Sequence, residues 1–326
     1  MLNIAFVHNG RTNFTEIDHE LLGMFVQVEE VFYPKKKAIL KWSLISIILR
    51  SDLVFCWFAS WHSLLPLILC KLRRCPFLLV TGGFDTANIP EAGYGHQRKW
   101  WTRWLVKICI HNADKVICNS HFIREEVMAL GFVRSEKLTV IHHGIPAHIY
   151  QPVSKSLIAL NIGNVFRENL LRKGLLPFVQ SSAFLPNWTF IQVGAWKDNS
   201  MITLQENGSA NCHIKGYLSD QDLHDLFSKA SVYVQPSFHE GFGLSVIEAM
   251  QAGCIPVVSN RGALPEVIKG FGIILDDLSP ENIARGILRA EAQFGHRRIE
   301  IAEMVNQNYS LEHRGLALKH LLAAWI

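Results

Sequence analysis

The chain has 326 residues, and at roughly 150 residues per domain two domains are expected. Apolar residues make up 49% and charged residues 18%, a balance that fills cores and excludes a disordered chain. Lys and Arg total 32 against 28 Asp and Glu, a net charge of +4, too weak an excess to point to a chain-wide nucleic-acid binder.

Short apolar runs alternate with helical segments from the start. Strands are predicted at Asn3–Val7, Leu53–Trp57, Phe77–Thr81, Lys115–Cys118 and Thr139–His142, with helix-like stretches that include Lys41–Arg50 and Lys99–His111. The first residues lack the basic and long apolar regions of a signal peptide and read as the first strand of a soluble domain. Leu53 to Cys70 is apolar enough to suggest a membrane span, but Ser60, His62, Ser63 and Pro66 interrupt it. A strand over 53–57, a loop and a helix over 63–72 fit it better. Tyr150-Gln151-Pro152 reads as a linker, and a second series of strands comes after it: Ile158–Ile162, Thr189–Val193, Cys212–Lys215, Val232–Gln235, Ile255–Ser259 and Gly272–Leu275. Such alternation predicts an α/β protein of two Rossmann-like domains with parallel sheets. Ligands of such sheets bind beyond the strand carboxyl ends, so a cleft between the domains is the expected site.

Charge divides unevenly. Residues 1–153 hold 17 basic and 12 acidic side chains, whereas 154–326 hold 15 and 16. Much of the excess falls in Lys35-Lys36-Lys37 and in Arg98–Lys107, where Trp100, Trp101 and Trp104 recur at helical spacing among basic residues. Two readings stay open: a surface for an anionic bilayer, or a helix with its tryptophans in the core. Seven cysteines without a C-x-x-C pair suggest reduced thiols in a cytoplasmic protein, neither a disulfide framework nor a zinc site. No stretch completes G-x-G-x-x-G, which disfavours an NAD or FAD dehydrogenase.

The most informative segment runs from Val234 to Gly253. A strand ends near Gln235, a loop carries Glu240, and a helix is predicted from about Gly243 to Gly253. Gly241 and Gly243 admit close approach of a ligand to the backbone, and the free N–H groups of the helix start suit a diphosphate. Glu248 stands in the otherwise apolar Ser-Val-Ile-Glu-Ala-Met, where a carboxylate is costly unless something pairs with it, such as a ribose diol.

Pro236-Ser-Phe-His-Glu240-Gly-Phe-Gly, Glu248-Ala-Met, Gly253-Cys-Ile-Pro-Val-Val and Pro265-Glu-Val-Ile together resemble the retaining GT-B glycosyltransferases of family 4, marked by E-x7-E in this setting. Leu160–Arg167 with Arg172-Lys173-Gly174, Lys215–Ser219, Thr81–Asp85, Ala113–Ser120 and Val140–Ile145 extend the likeness over nearly the whole chain. The resemblance implies that Glu240, Arg167 and Lys173 are catalytic: Glu240 near the reacting centre, the two cations on the diphosphate. It implies that Gly241, Phe242, Gly243 and Leu244 offer backbone N–H groups to the donor and that Glu248 holds the ribose. Tyr217 stands either beside the base or in packing. On the acceptor side Gly10 is a weak candidate, and Asp85 either meets the acceptor or caps a turn. Two departures stand out: the first loop lacks a Gly-Gly pair, and Gly82-Gly83-Phe84-Asp85 lacks the histidine many relatives carry.

The resemblance thus implies a transferase that takes a sugar from a UDP- or GDP-linked donor to a hydroxyl of a glycan or lipid-linked saccharide. Retention, no metal and no cofactor beyond the nucleotide-sugar co-substrate are expected. Residues 1–152 would bind the acceptor and 153–309 the donor, with the helix at 310–326 packing back on the first domain. Partners would include an anionic membrane surface and exclude nucleic acid. Two alternatives are a sugar-nucleotide epimerase of the same fold and a catalytically silent sugar-nucleotide-binding partner.

Overall fold

The computed structural model describes residues 2–131, 133–147 and 154–325; the linker expected at Tyr150–Pro152 lies outside them. The chain divides into two compact units, one of residues 1–90, 94–144 and 311–326, the other of residues 91–93 and 145–310.

In the first unit β1 (Asn3–His8), β2 (Gln27–Phe32), β3 (Leu53–Trp57), β4 (Phe77–Thr81), β5 (Lys115–Cys118) and β6 (Leu138–Val140) form a parallel sheet in the order β2-β1-β3-β4-β5-β6. Every residue of β3 and β4 is buried, as interior strands covered on both faces require. One face packs against α2 (Trp42–Arg50), α3 (Leu64–Arg73), α4 (Trp100–Asn112) and α5 (His121–Ala129) through Ile48, Leu67, Val106 and Ile123. The other face packs against α1 (Asn13–Gly23) through Leu21 and Leu22. No helix among the described residues is long and apolar enough to cross a membrane; the apolar run after Asp52 is β3, a loop and α3. Of the two readings of the tryptophan-rich helix, the structure excludes the buried one. Thr102, Val106, Cys109 and Ile110 form the inward stripe of α4, while Trp100, Trp101 and Trp104 are exposed.

The second unit repeats the plan with β7 (Ser156–Ile162), β8 (Thr189–Val193), β9 (Cys212–Lys215), β10 (Ala230–Gln235), β11 (Ile255–Ser259) and β12 (Ile273–Leu275), ordered β12-β11-β10-β7-β8-β9, all parallel. Its helices are α6 (Arg167–Arg172), α7 (Leu175–Gln180), α8 (Ser200–Asn207), α9 (Asp220–Lys229), α10 (Leu244–Gln251), α11 (Leu264–Ile268), α12 (Pro280–Phe294) and α13 (Arg298–Asn308). Sequence order reverses between β7 and β10, and the loops leaving the carboxyl ends of these neighbours part there, the position at which such sheets bind ligands.

The last helix, α14 (Leu311–Leu322), belongs to the first unit. Leu318 and Leu322 join the core beneath α1, and the buried Arg314 guanidinium donates to both carboxylate oxygens of buried Asp18 (2.5 and 2.7 Å). Asp18 also accepts from Trp57 Nε1 (3.1 Å), and Arg314 reaches the carbonyls of Ile141 (3.0 Å) and His142 (2.7 Å). Each polar atom is occupied, the condition under which a buried ion pair is tolerated.

Candidate active site

The loop after β10 is fixed from beneath by polar residues that read in the sequence as part of an apolar strand. Tyr233 donates its hydroxyl to Gln235 Oε1 (2.9 Å) and lies 2.8 Å from Ser245 Oγ. Gln235 Nε2 in turn donates to Ser237 Oγ (2.6 Å) and approaches Glu240 Oε2 (3.4 Å). Ser259 Oγ donates to the Ser237 carbonyl at 2.6 Å. Satisfied buried networks of this kind hold one conformation. Glu240 is gripped through its backbone too: its carbonyl accepts from Ala263 N (2.9 Å). Gly262, at φ +65°, approaches so closely that a Cβ would stand 2.4 Å from that carbonyl oxygen. Gly243, at φ +104°, is the N-cap of α10, a backbone conformation that favours glycine. Gly241 and Phe242 are buried; the Phe242 ring packs edge-on against Tyr309 (5.6 Å, 85°), and Leu244 opens the helix. Phe242 therefore has only its backbone to offer a ligand.

The loop after β7 supplies the cations. Asn169, buried in α6, donates to the Asn164 carbonyl (2.8 Å) and accepts from Arg172 Nε and Nη2 (3.0 and 2.7 Å). The Arg172 carbonyl accepts from Phe238 N (2.8 Å), and Gly174, at φ +65°, sits where a Cβ would be 2.1 Å from the Pro236 carbonyl oxygen. These contacts bring the end of α6 against the Glu240 loop, and Lys173 Nζ forms an ion pair with Glu240 Oε2, both side chains 16% exposed. Burial alone would raise the Glu240 carboxyl, but Lys173 and Arg172 together hold it below the usual range. The site thus keeps a carboxylate and two positive side chains in a shielded position.

The remaining predicted residues are placed less closely. Arg167 opens α6 with an exposed side chain, and its N–H donates to Asp198 Oδ2 (3.0 Å); it makes no ion pair with Glu240. Glu248 is half-buried on α10, its carboxyl raised by burial and secondarily by Asp220, which suits an acid awaiting hydrogen-bond donors. Tyr217 is 78% exposed and belongs to no core; nearby Gly216 has room for a Cβ 3.9 Å from the half-exposed Trp196 ring. In the first unit Gly10 accepts from His8 Nδ1 (2.9 Å) and Thr15 Oγ1 (3.2 Å). Asp85 is buried and accepts from Ala59 N (3.1 Å) and Gly82 N (2.9 Å), the turn-capping arrangement. Burial raises its carboxyl to about 7 in spite of these bonds.

Sequence reasoning assigns no role to Arg172, Asn169, Gln235 or Tyr233, and it passes over Arg261, whose guanidinium lies 4.4 Å over the Phe238 ring beside Glu240's loop. Only Arg172 carries a signal, through its place next to Lys173-Gly174.

Residues 150–303 match the family model for Glycosyl transferases group 1, and residues 22–148 match that for Glycosyltransferase Family 4. O-antigen chain mannosyltransferase B of Escherichia coli is 34% identical over 145 residues, 42% of this chain and 38% of that protein. A GDP-mannose:cellobiosyl-diphosphopolyprenol alpha-mannosyltransferase of Komagataeibacter xylinus is 25% identical over 204 residues, 59% of this chain and 50% of that one. The chain spans less than two thirds of the length of these curated relatives. Among solved structures, Anabaena HepE in complex with UDP and glucose is similar with a TM-score of 0.78 at 14% identity, over 99% of this chain and 100% of that one. Sucrose-phosphate synthase from Thermosynechococcus elongatus has a TM-score of 0.77 at 18% identity, over 99% of each chain. At such identities the likeness is one of fold.

Proposed function

We propose that the chain, which has the GT-B fold, is a group 1 glycosyltransferase that moves a sugar from a nucleoside-diphosphate donor to a hydroxyl of a glycan or lipid-linked saccharide. The observation that carries this reading is the shielded Lys173–Glu240 pair, set where the β7 and β10 loops part and beside the glycine-capped start of α10. In the reaction the bond from the anomeric carbon to the diphosphate breaks, and the acceptor oxygen bonds to that carbon as its proton passes to the departing diphosphate. Charge gathers on the departing diphosphate. Lys173 and Arg172, with Arg167 swung in from its exposed position, would neutralise it, helped by the N–H groups of residues 241–244. Cations and a helix start can do this without a metal, which is part of the proposal, as is retention. Glu240 would face the sugar, Glu248 would accept from the ribose diol, and Tyr217 would lie against the base.

The relatives favour mannose, carried as GDP-mannose, as the first donor to try. All seven cysteines are free, in keeping with a reducing, cytoplasmic setting. The test is a thermal-shift panel of GDP-, UDP- and ADP-sugars followed by transfer assays with the donor that binds, since a ligand of the folded state raises the melting temperature by mass action. Failure of every nucleotide sugar to shift the transition defeats the proposal. Donor isomerised without any acceptor would point to an epimerase, and binding without turnover to a silent partner.

A further inference from the structure

The helices that cover one face of the first sheet turn an uncommon surface outward. α2, α3 and α4 bury Ile48, Leu67, Cys70, Val106 and Cys109 against the same sheet face. To solvent they present Trp42 (71% exposed), Ile68 (47%), Leu72 (78%), Trp100 (83%), Trp101 (46%) and Trp104 (59%). The three helices are neighbours: α2 packs on α3 and α3 on α4. The turn before α2 reaches α4, with Lys36 Nζ 6.0 Å from the centroid of the Trp101 ring. Residues 33–51, 58–76 and 95–113, which contain these helices, hold twelve Lys and Arg and no Asp or Glu. The first unit's positive excess is therefore concentrated on this one covering layer.

We infer that this face docks the protein onto an anionic lipid bilayer, lying in its surface. Single exposed apolar side chains are ordinary, but a cluster of this kind marks an interaction site. Indole rings favour the headgroup level, and a positive field attracts acidic lipids. Ile68 and Leu72, an i, i+4 pair on α3, add aliphatic surface that an acyl boundary receives and a nucleic acid has no use for. Each helix is anchored to the sheet by its opposite face and too short to span, so the contact is peripheral. The inference goes beyond sugar transfer and stands or falls without it.

The test is co-sedimentation of the full chain with vesicles of phosphatidylcholine alone and with about a third phosphatidylglycerol. Binding to the acidic vesicles only is expected, with a blue shift of tryptophan emission and weaker association as salt rises. The pair Trp100→Ala and Trp104→Ala should cut the bound fraction about tenfold, and Lys37→Glu with Arg103→Glu should do so separately. All four positions are exposed, so an unchanged melting temperature certifies each fold. Equal binding to neutral vesicles, indifference of the bound fraction to both variant pairs, or displacement from vesicles by an oligonucleotide would overturn the assignment. A donor-induced thermal shift that persists in both pairs separates loss of docking from loss of the donor site.

Discussion

Each unit has a point where strand order reverses, and the two are built in opposite ways. In the second unit Gly174 and Gly243, both at positive φ, let the loops leaving β7 and β10 pack closely around a shielded ion pair and a helix start. At the corresponding reversal of the first unit, between β1 and β3, side chains fill the space. Phe58 holds a positive φ of 68°, stacks edge-on with Phe14 (5.9 Å), and its ring occupies the position a Cβ on Gly82 would take. One fold plan therefore yields a shielded ion pair framed by glycines in one unit and an aromatic plug in the other. The difference lies in a few loop residues, consistent with function residing in sites grafted on a fold.

The largest effect that could break this contrast is loss of the charged pair. Glu240→Ala should lower transfer by about a thousandfold or more, and Lys173→Ala by roughly a hundredfold, the scale set by deleting one group that stabilises developing charge. Steady-state kinetics should put the Lys173 effect largely in donor use and the Glu240 effect in turnover. Full activity in both variants would remove the second unit's charged pair as the site.

The next effect tests whether glycine itself makes the difference. A Cβ at Gly262 would stand 2.4 Å from the Glu240 carbonyl oxygen and one at Gly174 2.1 Å from that of Pro236, both at positive φ, whereas a Cβ at Gly10 meets nothing within 4 Å. Gly262→Ala and Gly174→Ala should each cost about 1–3 kcal/mol in denaturant melts and weaken donor binding. Gly10→Ala should stay within about 0.5 kcal/mol of the parent. A neutral Gly262→Ala would show that the close approach is not required.

Legibility in the sequence divides along the same line. The interior strands are legible because burial on both faces makes them continuous apolar runs, as in Leu53–Trp57 and Phe77–Thr81. Edge strand β2 escapes that pattern: Gln27-Val-Glu-Glu-Val-Phe is half exposed, and Glu29 and Glu30 pair with Arg50 and Arg11 across the surface. Glu240 and Lys173 lie 67 positions apart, a separation no local period encodes; only the family resemblance points to both. Tyr233 and Gln235 stay hidden because a strand buried on both faces reads as apolar whatever its network. The tryptophans of α4 are visible in the sequence but not their direction, since the inward stripe begins only at Thr102.

The smallest effect sharpens the contrast through two carboxyls displaced in opposite directions. Glu240, buried but held down by Lys173 and Arg172, lies below its ordinary value, so the stability it contributes is present above that value and is lost as pH falls through the folded one. Asp85 is raised by burial to about 7 from an ordinary 3.8. Its folded form therefore binds the proton more tightly than the unfolded chain, and its contribution declines as pH rises from about 4 to about 7. Buried His62, lowered to about 4, and His143, held well below the ordinary value by burial, act against it in the first unit: both favour the neutral form when folded and charge on unfolding below about 6.5. Parent stability alone cannot separate these contributions, but a difference can. Asp85→Asn should be less stable than the parent at pH 5, where the protonated acid already bonds well, and its deficit should shrink by pH 8, where the parent carries the buried charge. Melting temperatures of the two proteins across that range give the answer directly. A deficit that widens toward pH 8 would mean that the ionised carboxylate, accepting from Ala59 and Gly82, is what holds the first unit's loops. The aromatic plug would then rest on a charge, as the β7 and β10 loops of the second unit do.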